Sequence, residues 1–431
     1  MNEFDKIIGY ADIKKELEQL ADILRGNEAY TKLGVKIPRG LLLHGEPGLG
    51  KTLMATCLIK ASGRMVFTCR KDLPNGEFVK AIRQTFCKAQ NATPSIVFLD
   101  DMDKFANGDV RHPDAEEYVT VQSCIDSVKG HDVFVLATAN NIHALPDSLL
   151  RVGRFDREIE VEAPSGEDAE EIIGHYTKDL ALAPDIDRNL IARMLTECSC
   201  AELETVINEA GLYAGFERSD KITAEHFLKA CLKIGHDVSA YAVNRIGKNV
   251  SDASKRQVAY HEAGHAVISE VTAPGSVSLV TVYKQHENAP FSGFMSVADE
   301  KGVAPLEYRG NKIMIALAGK AAVEIALGLQ DVGAVGDVHR AFRLVGRLFR
   351  DSCTQGFRYY GDGDNSERLK YEQELAIAAE VEKYYRRTVR ILAENRKLLD
   401  RLAEELMTKD ILSFCDIKRI KEGLIRESEV A

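Results

Sequence analysis

The run Gly45-Glu46-Pro47-Gly48-Leu49-Gly50-Lys51-Thr52 constrains this 431-residue chain more than any other feature. It follows an apolar, strand-like stretch, Gly40 to His44, and opens a helical pattern that runs from Leu53 to Lys60. Glycines at a strand-to-helix turn let backbone N–H groups wrap phosphates, while the lysine reaches the β/γ-phosphates and the threonine holds Mg²⁺. Two further apolar runs, Ser95 to Leu99 and Asp132 to Thr138, alternate with helical patterns. That alternation predicts a parallel sheet covered by helices. Asp100 and Asp101 follow the second of these runs, at the strand end where open α/β sheets bind ligands. Asp100 is expected to hold Mg²⁺ through water and Asp101 to orient the attacking water; helix capping is the alternative use of both.

Beyond about Ala163 helical periodicity takes over until about Lys233, which suggests a small helical lid. The expected organisation is an α/β nucleotide-binding part over 1–162, the lid over 163–235 and a linker over 236–254 that contains Gly247, Ser251 and Ser254. A second, mostly α-helical domain occupies 255–431, with a β-rich interruption from Val277 to Val297 and a long charged helical pattern from Tyr371 to Leu406. A chain of this length is too long for one core. Its net charge of −10 argues against a nucleic-acid partner, which needs a basic footprint. Nine cysteines form no C-x-x-C pair and suit a reducing compartment. The longest apolar run, Ile313 to Leu329, contains Lys320 and Glu324, and no signal peptide opens the chain, so a soluble protein without a membrane partner is expected.

About two hundred residues after the phosphate loop comes His261-Glu262-Ala263-Gly264-His265. Residues four apart share a helix face, so His261 and His265 can bind one metal, and Glu262 projects beside it as a general base. A zinc ion there lowers the pKa of water toward neutrality for attack on a peptide carbonyl. A third ligand is needed. Glu287 lies at a plausible distance in a loop-like stretch. Asp337 precedes an amphipathic helix and reads first as an N-cap, with ligation as the alternative. Glu324 is the candidate for supporting the ligands, and Phe291 to Val297 reads as a strand that either pairs with an extended peptide or forms one arm of a hairpin.

From Phe4 through Lys233 the chain resembles an AAA+ module, on Phe4-Asp5-Lys6-Ile7-Ile8-Gly9-Tyr10, on the segment from Ile37 to Thr52, and on the segment from Leu149 to Arg157. Followed by His261 to His265, these phrases resemble the FtsH-type AAA metalloproteases across nearly the whole chain. The resemblance implies further roles. Asn140 matches the polar sensor near the γ-phosphate, Arg151 and Arg154 match arginine fingers that reach a neighbouring subunit, and Ile8, Gly9 and His175 match positions around adenine and ribose. Fingers acting in trans imply a ring, a homohexamer in that family. Gly333-Ala334-Val335-Gly336-Asp337 matches the loop that carries the family's third zinc ligand, which favours Asp337. Zn²⁺, ATP and Mg²⁺ are the implied cofactors.

Two departures stand out. The family has Asp-Glu where this chain has Asp100-Asp101, and the shorter carboxylate predicts slow ATP turnover, since a misplacement of about 1 Å costs on the order of 10²-fold. The family's pore segment carries an aromatic-hydrophobic-glycine triplet, whereas Arg70 to Phe78 places Pro74-Asn75-Gly76 there. The expected activity is an ATP-dependent zinc endopeptidase acting on unfolded cytoplasmic polypeptides. The alternatives are a chaperone or remodelling ATPase whose peptidase half is a binding platform, and a largely ATP-independent peptidase. The family's usual membrane-spanning segments ahead of the AAA+ module have no counterpart in this sequence.

Overall fold

A computed structural model of the chain describes residues 2–26, 28–34, 37–106, 115–151, 153–164, 166–184, 186–236, 238, 252–283, 292–297, 306–331, 333–357 and 367–430. In chain order its first half contains α1 (Ala11–Leu24), α2 (Glu28–Lys32), β1 (Gly40–His44), α3 (Lys51–Ser62), β2 (Met65–Cys69), α4 (Asn75–Asn91), β3 (Ser95–Leu99) and α5 (Ala115–Ser127). β4 (Val133–Ala139), β5 (Arg157–Glu160), α6 (Glu167–Tyr176), α7 (Arg188–Met194), α8 (Cys200–Phe216) and α9 (Ala224–Gly235) follow. The second half contains α10 (Asp252–Thr272), β6 (Val277–Tyr283), β7 (Ser292–Val297), α11 (Leu306–Leu327), α12 (Val335–Arg350), α13 (Glu367–Glu394), α14 (Arg396–Lys409), β8 (Ile411–Ser413) and α15 (Phe414–Val430). Two compact units result: Met1–Arg188 with Glu197–Thr223, and Asn189–Thr196 with Ala224–Ala431.

The first unit is built on a parallel five-stranded sheet in the order β2-β3-β4-β1-β5. Its three central strands are buried at every position, because helices cover both faces, and they read as continuous apolar runs. The two edge strands escape that reading. Met65 and Val66 of β2 are 59% and 39% exposed, and β5 alternates Arg-Glu-Ile-Glu with only Ile159 buried. α4 buries Phe78, Ile82 and Phe86 against Phe105, Val121 and Ile125. Their spacing of four residues keeps them on one face of the helix. The register His44–Ala139 and Leu99–Ala137 brings the C-terminal ends of β1, β3 and β4 to one rim of the sheet. That rim therefore receives Gly45, Asp100 and Asn140.

In the second unit α10 lies at the centre, with Ala259, Ala263, Ala266 and Val267 fully buried against α11 and α14 residues such as Ala318, Ala322, Leu399 and Leu402. A three-stranded antiparallel sheet, β7-β6-β8, packs beside it and, among the described residues, leaves β7 as an edge. The charged pattern over Tyr371 to Leu406 is two helices, not one. Asn395, at φ −106° and ψ 29°, marks the break, its backbone N–H and its side-chain amide both donating to the Ile391 carbonyl, at 3.0 and 2.8 Å. Asp252, Ala253 and Ser254, read as the end of a linker, form the first turn of α10. Most of that linker, including Gly247 and Ser251, lies outside the described residues. Among the described residues no helix is long and apolar enough to cross a membrane. The apolar run ending at Leu329 falls mainly within α11, where Lys320 and Glu324 pair with each other.

Candidate active sites

The phosphate loop joins β1 to α3 in the first unit. Gly48 and Gly50 hold φ of 81° and 85°, backbone conformations that glycine alone adopts without strain. Ala201, at the start of α8, donates its N–H to the Gly48 carbonyl at 3.1 Å. Lys51 is buried, and its ammonium donates to the carbonyls of Gly45 and Glu46 at 2.7 and 2.6 Å. Burial lowers its pKa. Thr52 and Thr138 both donate hydroxyl hydrogens to Asp100 Oδ1, at 3.2 and 3.0 Å. The threonine and carboxylate proposed for Mg²⁺ are thus adjacent, and their all-oxygen chemistry suits a hard cation. Glu46, Pro47, Leu49 and Leu53 complete the loop and the first turn of α3.

Asp101 sits in a left-handed conformation, φ 53°, which Asp tolerates better than most residues. Thr138 Oγ1 accepts its N–H at 2.9 Å. One carboxylate oxygen accepts from the Asn140 amide at 3.3 Å and the other from the Lys104 ammonium at 2.6 Å. Asp103, to which the sequence reading gave no role, accepts the backbone N–H groups of Asn140 and Asn141 at 3.1 and 3.2 Å and so fixes the segment after β4. Only its place in the run Asp100-Asp101-Met102-Asp103 signalled it.

Arg154 forms a bidentate pair with Asp126, at 3.1 and 2.7 Å, and also donates to the Ser148 carbonyl. The hydrogen bonds from Arg154, together with Lys129, hold the Asp126 carboxyl down to about 2. Arg151 is exposed. Gly9 turns with φ 69° and packs on Asp168, which accepts the Tyr10 N–H at 2.7 Å; Ile8 is half-buried and His175 is exposed on α6. Phe78 is a core residue, its ring 5.1 Å from that of Phe105. The connection before α4 therefore presents Leu73, 41% exposed, and no aromatic side chain.

In the second unit His261 and His265 share one face of α10, with their Nε2 atoms 3.0 Å apart. Asp337 Oδ2 lies 3.1 Å from the first and 3.4 Å from the second. A tetrahedral zinc with bonds near 2.0–2.1 Å separates its ligand atoms by about 3.3 Å, so the three donors fit one zinc. Asp337 is the third residue of α12, not its N-cap; Ala334 holds that position. A carboxylate in the first turn also suits the helix dipole.

Each histidine is oriented through its other nitrogen. His261 Nδ1 donates to Asp331 Oδ2 at 2.5 Å, and His265 Nδ1 donates to the Ile315 carbonyl at 2.6 Å. Asp331 also accepts from Gln257 and from the Gly333 N–H. This supporting carboxylate was missed, and Glu324, the residue suggested for the task, is engaged elsewhere, by Lys320 and Tyr385. Burial works against charge on His261, but hydrogen bonds to Asp331 and Asp337 prevail and push its pKa up to about 10. Burial likewise opposes the Asp337 carboxylate, and bonds from both histidines bring its pKa well below the ordinary range. Burial raises that of Glu262, which is 5% exposed.

Two glycines give these side chains room. A Cβ on Gly319 of α11 would lie 2.4 Å from the His261 ring, and one on Gly293 of β7 would lie 2.5 Å from Glu262 Cγ. Edge strand β7 thus runs directly against the general-base candidate. The whole forms a cleft of about 660 Å³ lined by both histidines, Glu262, Asp337, Gly293, Phe294 and Arg340. Glu287 and Phe291 lie outside the described residues.

A phosphate loop on a parallel sheet, together with a two-histidine, one-carboxylate metal site on helices, defines a two-module class, a nucleotide-binding ATPase domain joined to a zinc-peptidase domain. Residues 41–163 match the ATPase family associated with various cellular activities, and residues 248–420 match peptidase family M41. An ATP-dependent zinc metalloprotease FtsH of Symbiobacterium thermophilum is 30% identical over 97% of this chain and 74% of its own length. Those of Leptotrichia buccalis and Pelobacter propionicus are 30% and 29% identical over 98% and 97% of the chain. The chain spans 57% of the first and 70% of the second. This chain belongs to the FtsH family of AAA zinc metalloproteases.

Proposed function

We propose that the chain is a zinc endopeptidase that cuts unfolded or loosely folded polypeptides and is driven by ATP. The observation that carries this reading is the convergence of His261, His265 and Asp337 on one point beside a buried Glu262 and an open strand edge. Zinc, when bound, supplies a Lewis acid at the scissile carbonyl and acidifies water in the cleft. Glu262 takes the proton of the attacking water, its basicity raised by burial, and returns it to the leaving amine. β7 holds the substrate backbone extended, and Asp331 and the Ile315 carbonyl keep both imidazoles aimed.

In the first unit Lys51 and Thr52 hold nucleotide phosphates and Mg²⁺ with Asp100, while Asp101 and Asn140 orient water. Arg151 and Arg154 act in trans within a homohexameric ring, and Arg154 must exchange Asp126 for a neighbour's phosphate to do so. A second reading, a peptidase with weak dependence on ATP, draws support from the Lys104 contact on Asp101 and the lack of an exposed aromatic between β2 and α4.

Casein cleavage with and without ATP, by wild type, Lys51→Ala and Glu262→Gln, separates the two. Loss in both variants supports coupling. Loss in Glu262→Gln alone supports the second reading, and no cleavage by the wild type under any condition overturns both.

A further inference from the structure

α12 carries more than Asp337. Arg340, Arg343, Arg347 and Arg350 recur at helical spacing within one arc of the helix, and all four are exposed. Among the described residues none of their guanidinium groups pairs with a carboxylate. Four acids of the adjoining α13 are used within α13 itself, Glu367 by Lys370, Glu372 by Arg368, Glu380 by Lys383 and Glu382 by Arg386. Arg347 and Arg350 lie in the last turn, where cations suit the helix dipole, but Arg340 and Arg343 gain nothing from it. Four unneutralised arginines in line are out of keeping with a chain whose net charge is −10.

The stripe also has a direction. It begins one turn after Asp337, and Arg340 is the single Lys or Arg among the described residues lining the catalytic cleft. From Arg340 to Arg350 it runs about 15 Å, the span of about four or five residues of extended chain.

We propose that this stripe is a binding track for carboxylate-rich segments of polypeptide substrates and biases the peptidase toward cleavage beside acidic stretches. The inference rests on the peptidase reading above. Continuity with the cleft favours a substrate over a second copy of the chain, and the acidic balance of the rest of the molecule disfavours nucleic acid. Guanidinium groups hold carboxylates in bidentate geometry, so several exposed pairs, each weak, together confer a preference of about tenfold.

The test uses two fluorescein-labelled peptides with one apolar core, flanked either by aspartates and glutamates or by serines and glycines. Binding to the whole 431-residue chain carrying Glu262→Gln is followed by anisotropy at low salt and at about 0.3 M salt, where the Debye length shrinks below about 8 Å. The acidic peptide should bind about tenfold more tightly at low salt. Its advantage should fall toward onefold at high salt and in Arg343→Gln/Arg347→Gln, with Arg340→Gln as the second variant should the double one fail to fold. Equal binding of the two peptides overturns the proposal, and so does a preference that survives both substitutions. Capture of a single-stranded oligonucleotide or of anionic vesicles without a preference for the acidic peptide also overturns it. A double variant that changes oligomeric state while retaining the preference assigns the stripe to a subunit contact instead. Cleavage of the neutral peptide by the wild type tests the peptidase reading separately, since binding to Glu262→Gln needs no turnover.

Discussion

Replacing Gly319 with alanine should empty the zinc site while leaving every ligand in the sequence. The new Cβ would stand 2.4 Å from His261 Cε1 and 2.6 Å from each ring nitrogen, whereas ordinary contact begins at 3.4 Å, so ring or helix must give way by about 1.0 Å. The ring has little freedom to retreat, because Asp331 holds its Nδ1 at 2.5 Å. Zinc–nitrogen bonds tolerate shifts of about 0.2 Å. The displaced imidazole therefore ceases to be a ligand, and the expected loss in zinc affinity is on the order of 100-fold or more, beyond what loss of a supporting contact alone costs. Overpacking adds about 1–3 kcal/mol of destabilisation. Zinc titration against a competing chelator reads the first effect, and thermal unfolding of the zinc-free protein reads the second. Gly423→Ala is the control: a Cβ there meets nothing within 4 Å, and α15 should gain up to about 1 kcal/mol. A Gly319→Ala protein with wild-type zinc affinity would refute the argument that this close approach sets the ring.

Other consequences are as direct. Asp331→Asn should weaken zinc binding about 10–100-fold while leaving the three ligands in place, measured by the same titration. Because the metal-free protein holds a proton on His261 up to a pKa of about 10, against an ordinary 6.5, zinc must expel it. Apparent zinc affinity should then rise about tenfold per pH unit across neutral pH, with close to one proton released from this ring in calorimetry across buffers. The same raised pKa stabilises the metal-free fold fully below pH 6.5, and that contribution is lost as pH rises through about 10. Asp101→Asn should lower the ATPase rate at least tenfold with nucleotide affinity retained, and an unchanged rate removes Asp101 from the mechanism.

Much of the nucleotide unit could be read from the chain because its chemistry is local. The phosphate loop, Asp100 and the buried central strands are contiguous stretches whose type follows from a few neighbouring residues. β2 and β5 could not be read that way, since an edge strand buries little and loses the apolar run that marks its neighbours. The peptidase helix was legible for the same local reason: His261 and His265 are one turn apart. Asp331 was not, because its link to His261 crosses 70 residues and depends on how the segment after α11 folds back. Gly319 was hidden more deeply. A glycine inside a helix reads as a weakness until the ring packed against it is known. Phe78 shows the converse, an aromatic beside the connection from β2 to α4 that the amphipathic pattern of α4 assigns to the core.

Stripping the wild-type chain of metal, adding zinc back in steps and following casein cleavage in the presence of ATP tests whether His261, His265 and Asp337 hold the zinc that cuts peptides. Cleavage should be absent from the stripped protein and return in proportion to zinc, levelling off at one ion per chain, while His261→Ala and Asp337→Ala remain inactive throughout. Cleavage that persists without zinc, or that returns equally in the Asp337→Ala chain, would contradict the site described here.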